Sequence, residues 1–172
     1  MMRNDHPRRF GFIALVGLLL TLPVQAQSTL SYAAKFVCGP LNVDSEVVKG
    51  RYSTTINLHN PQLETVRFRM RAAHALPARS SSRGAISTRR SLSLIRDQAL
   101  GVDCKDIRNL FGTRSLPDHI EGFLVIEVEF DPPSQRPEDF ALDVMGKYTA
   151  REAGSQVQTI DIENYEPRVI SD

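Results

Sequence analysis

Between residues 50 and 71, apolar and polar positions alternate along the chain: GRYSTTINLHNPQLETVRFRMR. A period of two predicts one strand over residues 52–59 and a second over residues 64–71, with Asn60 and Pro61 forming the turn. The positions expected to be buried are Thr54, Ile56, Leu58, Val66, Phe68 and Met70. The stretch therefore predicts a hairpin with one face in the core.

The same alternation predicts the other strands of the domain. They lie over residues 30–37, 91–95, 120–130, 140–150 and 157–162. Residues 72–90 have the polar composition of a loop, which does not order itself by burial, and residues 97–101 are predicted as a turn. One short helix is expected over residues 103–111, capped by Asp103 or Asp106 and ended by Gly112.

The N-terminus has the pattern of a secretory signal peptide. Arg3, Arg8 and Arg9 precede an apolar run over residues 10–22, and small residues before Ala26 suit cleavage after it. The run is shorter than the roughly 20 residues that a spanning helix needs, which favours cleavage. The alternative is an uncleaved anchor in the inner membrane.

These patterns divide the chain into a leader over residues 1–26 and one domain over residues 27–172. The domain is long enough for a core of its own. Short strands with almost no helical periodicity predict an all-β fold. We expect a single antiparallel β-sandwich, or a barrel-like variant of it, with one short helix. The leader predicts a periplasmic or secreted protein, or one anchored to the inner membrane through residues 10–22.

Two cysteines, Cys38 and Cys104, belong to the predicted domain. An exported protein with two cysteines most simply pairs them. Such a disulfide contributes on the order of 4 kcal/mol in the chain-entropy treatment. The alternative, a metal or redox site, lacks a C-x-x-C motif and a nearby histidine, so a structural disulfide is predicted.

A net charge of +1 conceals an uneven distribution of charge. Between residues 64 and 96 there are eight arginines and one acid, whereas from Asp118 onward 13 acids face 4 bases. Arginine suits bidentate capture of carboxylate or phosphate. The predicted interaction surface consists of Arg67, Arg69, Arg71, Arg79, Arg83, Arg89 and Arg90.

Three interpretations of this charge pattern stay open. Residues 79–90 could lie on anionic lipid headgroups, the charged faces could bind a protein partner or a second copy, or the two regions could neutralise each other within one sandwich. Overall charge near zero argues against nucleic-acid binding. Glu127, Glu129 and Asp131 share a strand face, where partnership with the arginines across strands is favoured over a calcium site.

The candidates for chemistry do not form a recognisable set. His59, His74 and His119 lack the three or four convergent donors of a metal site. The serines of residues 80–82 lie in a polar loop, and the sequence has no G-x-S-x-G. We therefore predict no catalytic residue, no bound metal and no cofactor.

Several segments taken together resemble a family of small exported bacterial proteins without an established biochemical function. They are YAAKFVCG, TTINLHNP, DQALGVDCKDI, GFLVIE, KYTA and IDIENYEPR, which span most of the predicted domain. The order of turn, basic loop, short helix and strand is also similar to the β-sandwich of sensory rhodopsin transducer proteins, which are oligomeric interaction modules. These resemblances imply a sandwich and assign no site residue.

The sequence therefore predicts a non-enzymatic interaction or accessory subunit at the periplasmic face of the inner membrane. It would bind a protein partner through its charged faces, with peripheral contact to anionic lipid as a further option. The alternative is a periplasmic module that binds a small ligand or a metal at the sandwich edge and His59.

Overall fold

The computed structural model describes residues 28–42, 48–130, 135–152, 154–155 and 158–171. The predicted leader, Asp131 and Val157 lie outside these ranges. The strands are β1 (Ser28–Leu41), β2 (Gly50–His59), β3 (Val66–His74), β4 (Arg90–Leu94), β5 (Ala99–Asp103), β6 (Ile120–Phe130), β7 (Asp143–Glu152), β8 (Gln158–Asn164) and β9 (Arg168–Ser171). One α-helix, α1 (Cys104–Leu110), and a 3-10 turn at Pro137–Asp139 complete the described elements. No helix within these ranges has the length and apolar character that crossing a bilayer requires.

The strands form two antiparallel sheets joined by β1, which confirms the predicted all-β class. The first sheet has the order β4-β3-β6-β1-β9, and the second has β8-β7-β2-β5. β1 pairs with β6 along Ser28 to Cys38 and then with β2 over Gly39 to Leu41, so it runs from one sheet into the other. This shared strand fixes the position of the sheets relative to each other.

One continuous core lies under both sheets. Every position predicted to be buried is at most 3% exposed: Thr54, Ile56, Leu58, Val66, Phe68 and Met70. β1 and β6 add alternate side chains such as Phe36 and Ile126, both fully buried. Each large apolar side chain in such a core contributes about 1.5–3 kcal/mol by leaving water.

The predicted hairpin is wrong, although its buried face is right. β2 pairs with β1, β5 and β7, whereas β3 pairs with β4 and β6 in the other sheet. The connection after His59 therefore crosses between sheets. Alternation of apolar and polar residues indicates which face of a strand is buried. It does not indicate which strand pairs with which, because two strands in different sheets around one core show the same alternation as two strands of a hairpin.

β1 continues through Gly39 and Pro40 to Leu41, beyond residue 37, where the predicted strand ends. Gly39 has a φ of 101°, which glycine adopts at little cost, and the carbonyl oxygen of Asp118 occupies the place of a Cβ. The N–H groups of Lys35 and Val37 point away from β6. N–H groups of successive residues in a strand point to opposite sides, so the nitrogen of Pro40 points to the β6 side. The pairing of β1 with β6 has already ended there, since its last residue pair includes Cys38. The missing proline donor therefore disrupts no pairing.

The helix is confirmed, and three neighbouring predictions need correction. Asp103 caps α1 and forms a reciprocal capping box with Asp106. The predicted turn over residues 97–101 contains the start of β5, and residues 168–171, which no predicted strand includes, form β9. The loop over residues 72–90 is partly ordered, because β3 extends to His74 and pairs with residues 85–87, with the Ser87 hydroxyl accepting the Ala72 N–H at 2.8 Å.

A pH-dependent contribution to stability is expected from Tyr32, which is fully buried and accepts the Leu142 N–H at 2.8 Å. Burial raises its pKa from 10.0 to about 12. The folded state thus holds this proton more tightly than the unfolded chain does. The contribution is complete below about pH 10 and is lost at about 1.4 kcal/mol per pH unit as pH rises toward 12.

Urea titrations of wild type and Tyr32→Phe at about pH 9 and about pH 11 test this expectation. At the lower pH the variant is less stable by about 1–3 kcal/mol, because the Leu142 N–H loses its acceptor. At the higher pH the difference in stability between wild type and variant becomes smaller. A difference that stayed constant between the two pH values would contradict the assignment of this pH dependence to Tyr32.

Candidate functional site

The arginines of β3 are largely neutralised within the first sheet. Arg69 pairs with Glu129, and the Arg71 Nη2 atom lies 3.0 Å from Glu127 Oε1. Arg89 Nε lies 3.5 Å from the other oxygen of Glu127, whose side chain is only 13% exposed. These pairs agree with the predicted partnership across strands. They engage Glu127 and Glu129, two of the three carboxylates considered for calcium, and Asp131 lies outside the described residues.

The remaining predicted cations lie apart from one another. Arg67, Arg79, Arg83 and Arg90 are exposed and have no ion pair within the described ranges. Arg67 and Arg90 are on strands of the first sheet, whereas Arg79 and Arg83 are in the following loop. The seven predicted arginines therefore do not make one continuous free basic surface.

The three histidines of the domain have different surroundings. His59 Nδ1 lies 2.9 Å from Asp143 Oδ2, its neighbour across β2 and β7. Burial lowers the pKa of His74, and His119 packs edge-on against Tyr52 with ring centroids 5.7 Å apart. Among the described residues, no group of three or more His, Cys, Asp and Glu side chains is placed to hold a metal ion.

Between its pairings with β9 and β2, one edge of β1 has hydroxyl groups in place of a neighbouring strand. The Lys35 N–H donates to Tyr165 Oη at 3.1 Å, and the Lys35 carbonyl accepts from Tyr148 Oη at 2.8 Å. Thr54 Oγ1 accepts the Val37 N–H at 2.9 Å and donates to the Val37 carbonyl at 3.0 Å. The main-chain groups of Lys35 and Val37 at this edge are thus satisfied.

A cleft of about 290 Å³ opens beside this edge, between β1 and the paired strands β7 and β8. Its polar lining includes Lys35, Tyr52, Tyr148, Asp161 and Glu163. The hydroxyl of Tyr165 donates to Glu163 at 2.8 Å and contacts that of Tyr148. Burial is the main cause that raises the pKa of both tyrosines, so they stay neutral at ordinary pH. The hydroxyls at the cleft are already engaged within the fold.

β8 is the most exposed strand of the second sheet. All of its residues from Gln158 to Asn164 are exposed, and among the described strands it pairs with β7 alone. Ile160 and Ile162 are 62% and 60% exposed. Since side chains alternate along a strand, these two share one face, while Asp161 and Glu163 share the other.

β8 belongs to none of the sites predicted from the sequence. QTIDIEN alternates like any half-buried strand, and the pattern predicts a core face for its isoleucines. Only the pairing order shows that β8 lies at the end of its sheet, where none of the described elements packs over the isoleucines. The acids at Asp161 and Glu163 were the available signal, as part of the acidic C-terminal region.

Comparison of the sequence with protein-family models gives no match, and comparison with curated proteins and with solved structures gives no significant similarity. The resemblances described above therefore stay predictions. Any functional argument has to start from the surfaces of this chain itself.

Proposed function

We propose that this protein is a non-enzymatic interaction domain that binds a protein partner in an oxidising compartment outside the cytoplasm. The single observation that carries the proposal is the exposure of β8. This strand presents two isoleucines and one unpaired edge to solvent, together with two carboxylates. An exposed apolar edge of this kind invites pairing with another chain.

The compartment is supported by the cysteines. Cys38 and Cys104 form a disulfide, and no cysteine of the described chain is free. Disulfides persist mainly in secreted and periplasmic proteins. The basic start and apolar run of residues 1–26 point in the same direction by sequence pattern alone.

Energy favours a partner at β8 over one at the arginines of β3. Arg69 and Arg71 are already paired, so a partner would have to compete with Glu129 and Glu127. Each new ion pair that a partner formed with these arginines at the surface would contribute only about 0–1 kcal/mol. Burial of Ile160 and Ile162 would instead remove more than half of two large apolar side chains from water.

Photo-crosslinking in the native host tests the proposal. With p-benzoylphenylalanine at position 162, we expect one covalent adduct of defined mass with another protein. The matched control places the same group at Arg96, which is exposed beyond β4 and away from β8. Specific capture at position 162 but not at position 96 would support a partner at β8.

Two other results would contradict it. Absence of an adduct at position 162, or equal adducts at both positions, would remove the case for a partner at β8. Adducts formed only with lipid, and only from a probe at Arg83, would instead locate the contact in the basic loop near the exposed side chains of Leu76 and Ile86.

A further inference from the structure

We propose that the partner adds an extended strand to the free edge of β8, and that this strand alternates basic and apolar side chains. The inference rests on the proposed function and specifies both the mode of binding and the chemistry of the partner. Its three supports are the direction of the main-chain groups of β8, the distribution of its side chains between two faces, and its charge.

The main chain of β8 directs every second amide away from the protein. The Tyr165 N–H, just after the strand, donates to the Val144 carbonyl of β7 at 2.9 Å. In an antiparallel pair the N–H groups of successive residues point to opposite sides. The N–H groups of Ile160 and Ile162 therefore point off the sheet, and that of Ile162 is indeed bound by the Asp161 carboxylate at 2.9 Å instead of by β7.

The side chains specify a partner with two different faces. Ile160 and Ile162 lie on the outer face, opposite Thr149 and Lys147 of β7. Asp161 lies on the other face with Glu163, and β8 contains no lysine or arginine. Apolar side chains of an added strand would meet the isoleucines, and cationic side chains would meet the carboxylates, at about 0.2–1 kcal/mol for each favourable pair.

Charge argues against a second copy as the occupant. Antiparallel pairing of two β8 strands puts four carboxylates and no cation on one face, and the register that brings Ile160 opposite Ile162 also brings Asp161 opposite its own copy. Like charges at such positions destabilise a sheet. The described segment of this chain with the complementary alternation is β3, VRFRMRAAH, and both of its edges are occupied by β4 and β6. The occupant is therefore a strand from a different protein.

The Asp161 carboxylate blocks part of this edge through a hydrogen bond that an incoming strand can displace. By accepting the Ile162 N–H, it satisfies a donor that would otherwise be open to any strand. A cationic side chain placed opposite Asp161 would attract the carboxylate away and free the N–H for the incoming strand. The edge thus discriminates in favour of basic segments.

Titration of the purified domain with a labelled peptide, acetyl-Thr-Lys-Val-Lys-Val-Lys-Thr-amide, tests the inference by fluorescence anisotropy. Saturable binding is expected, and the same peptide with glutamate at every lysine should not bind. Ile160→Pro removes the outward N–H without touching a bond to β7, a substitution that edge strands tolerate. Its matched control, Ile160→Ala, keeps the N–H and removes only apolar area.

We expect Ile160→Pro to weaken binding about tenfold more than Ile160→Ala does, because one main-chain hydrogen bond is lost. Equal binding by both variants, or by the lysine and glutamate peptides, would overturn strand addition by a basic segment. If an adduct still formed from position 162, the interaction function would survive that result. A dimer in sedimentation that Ile160→Pro abolishes would show instead that a second copy occupies the edge.

A second test does not depend on the folding of the proline variant. N-methylation of the peptide amides that face β8 removes their N–H donors and leaves the side chains of the peptide unchanged. Strand addition requires that this methylated peptide lose binding to the wild-type domain, whereas a purely charge-driven contact would keep it.

Discussion

Replacement of both Cys38 and Cys104 by alanine is expected to lower the free energy of unfolding by about 4 kcal/mol. The disulfide joins residues 66 positions apart, with Cα atoms separated by 5.6 Å. It ties the end of β1 to the start of α1, and the Thr54 N–H lies 3.2 Å from Cys104 Sγ at the same junction. Without the bond, the unfolded chain regains the entropy of an open loop of that length.

Urea denaturation followed by circular dichroism measures the effect. Wild type in the presence of dithiothreitol should approach the stability of the double variant. Because the reduced wild type keeps both sulfur atoms, it is the matched control for their loss in the variant. A domain of this size has a total stability of about 5–15 kcal/mol, so the loss is a large fraction of it. A variant within about 1 kcal/mol of oxidised wild type would show that the disulfide is not a main source of stability.

Replacement of Asn60 by alanine is expected to cost about 3 kcal/mol. Asn60 is fully buried at the crossing between the two sheets. Its Nδ2 donates to the carbonyls of Glu64 and Leu94, both at 2.9 Å, and its Oδ1 accepts the Gln62 N–H at 2.9 Å. Alanine would remove the partner of all three main-chain groups, and the bond to the Leu94 carbonyl lies in the buried part of the site, where water does not replace it.

The control for this prediction is Asn57→Ala on β2, the strand that ends just before Asn60. Asn57 is exposed, so its replacement should change the free energy of unfolding by no more than about 0.5 kcal/mol. Thermal unfolding of the two variants separates the role of Asn60 at the crossing from any general effect of replacing an asparagine in this part of the chain. Similar unfolding temperatures would refute the role assigned to Asn60.

Elements that depend on near neighbours in the chain were predictable from the sequence. α1 begins at the predicted cap because Asp103 and Asp106 bond each other's backbone within a few residues. β6 has the predicted bounds, since its apolar run has clear alternation at its end. The buried faces of β2 and β3 followed from a period of two, which depends only on strand geometry.

Features that depend on contacts between distant residues were not predictable. β2 and β3 share the expected turn but not a sheet, because Asn60 holds the crossing to Leu94, which lies 34 positions away. The Arg71 partner Glu127 lies 56 positions away, so the neutralisation of the basic row was one of three open interpretations. The local pattern of apolar and polar residues does not indicate which distant residues contact each other in the fold.

By itself, the sequence determined the all-β class, the faces that form the core and the capped helix, since each follows from short-range periodicity or hydrogen bonding. The tertiary structure alone decided that β1 joins two sheets and which glutamates Arg69 and Arg71 of β3 meet. It also decided that Ile160 and Ile162, which alternate like core residues, lie on a strand at the end of its sheet. Burial is a property of what packs over a side chain, and only the order of the strands places β8 where no described element covers it.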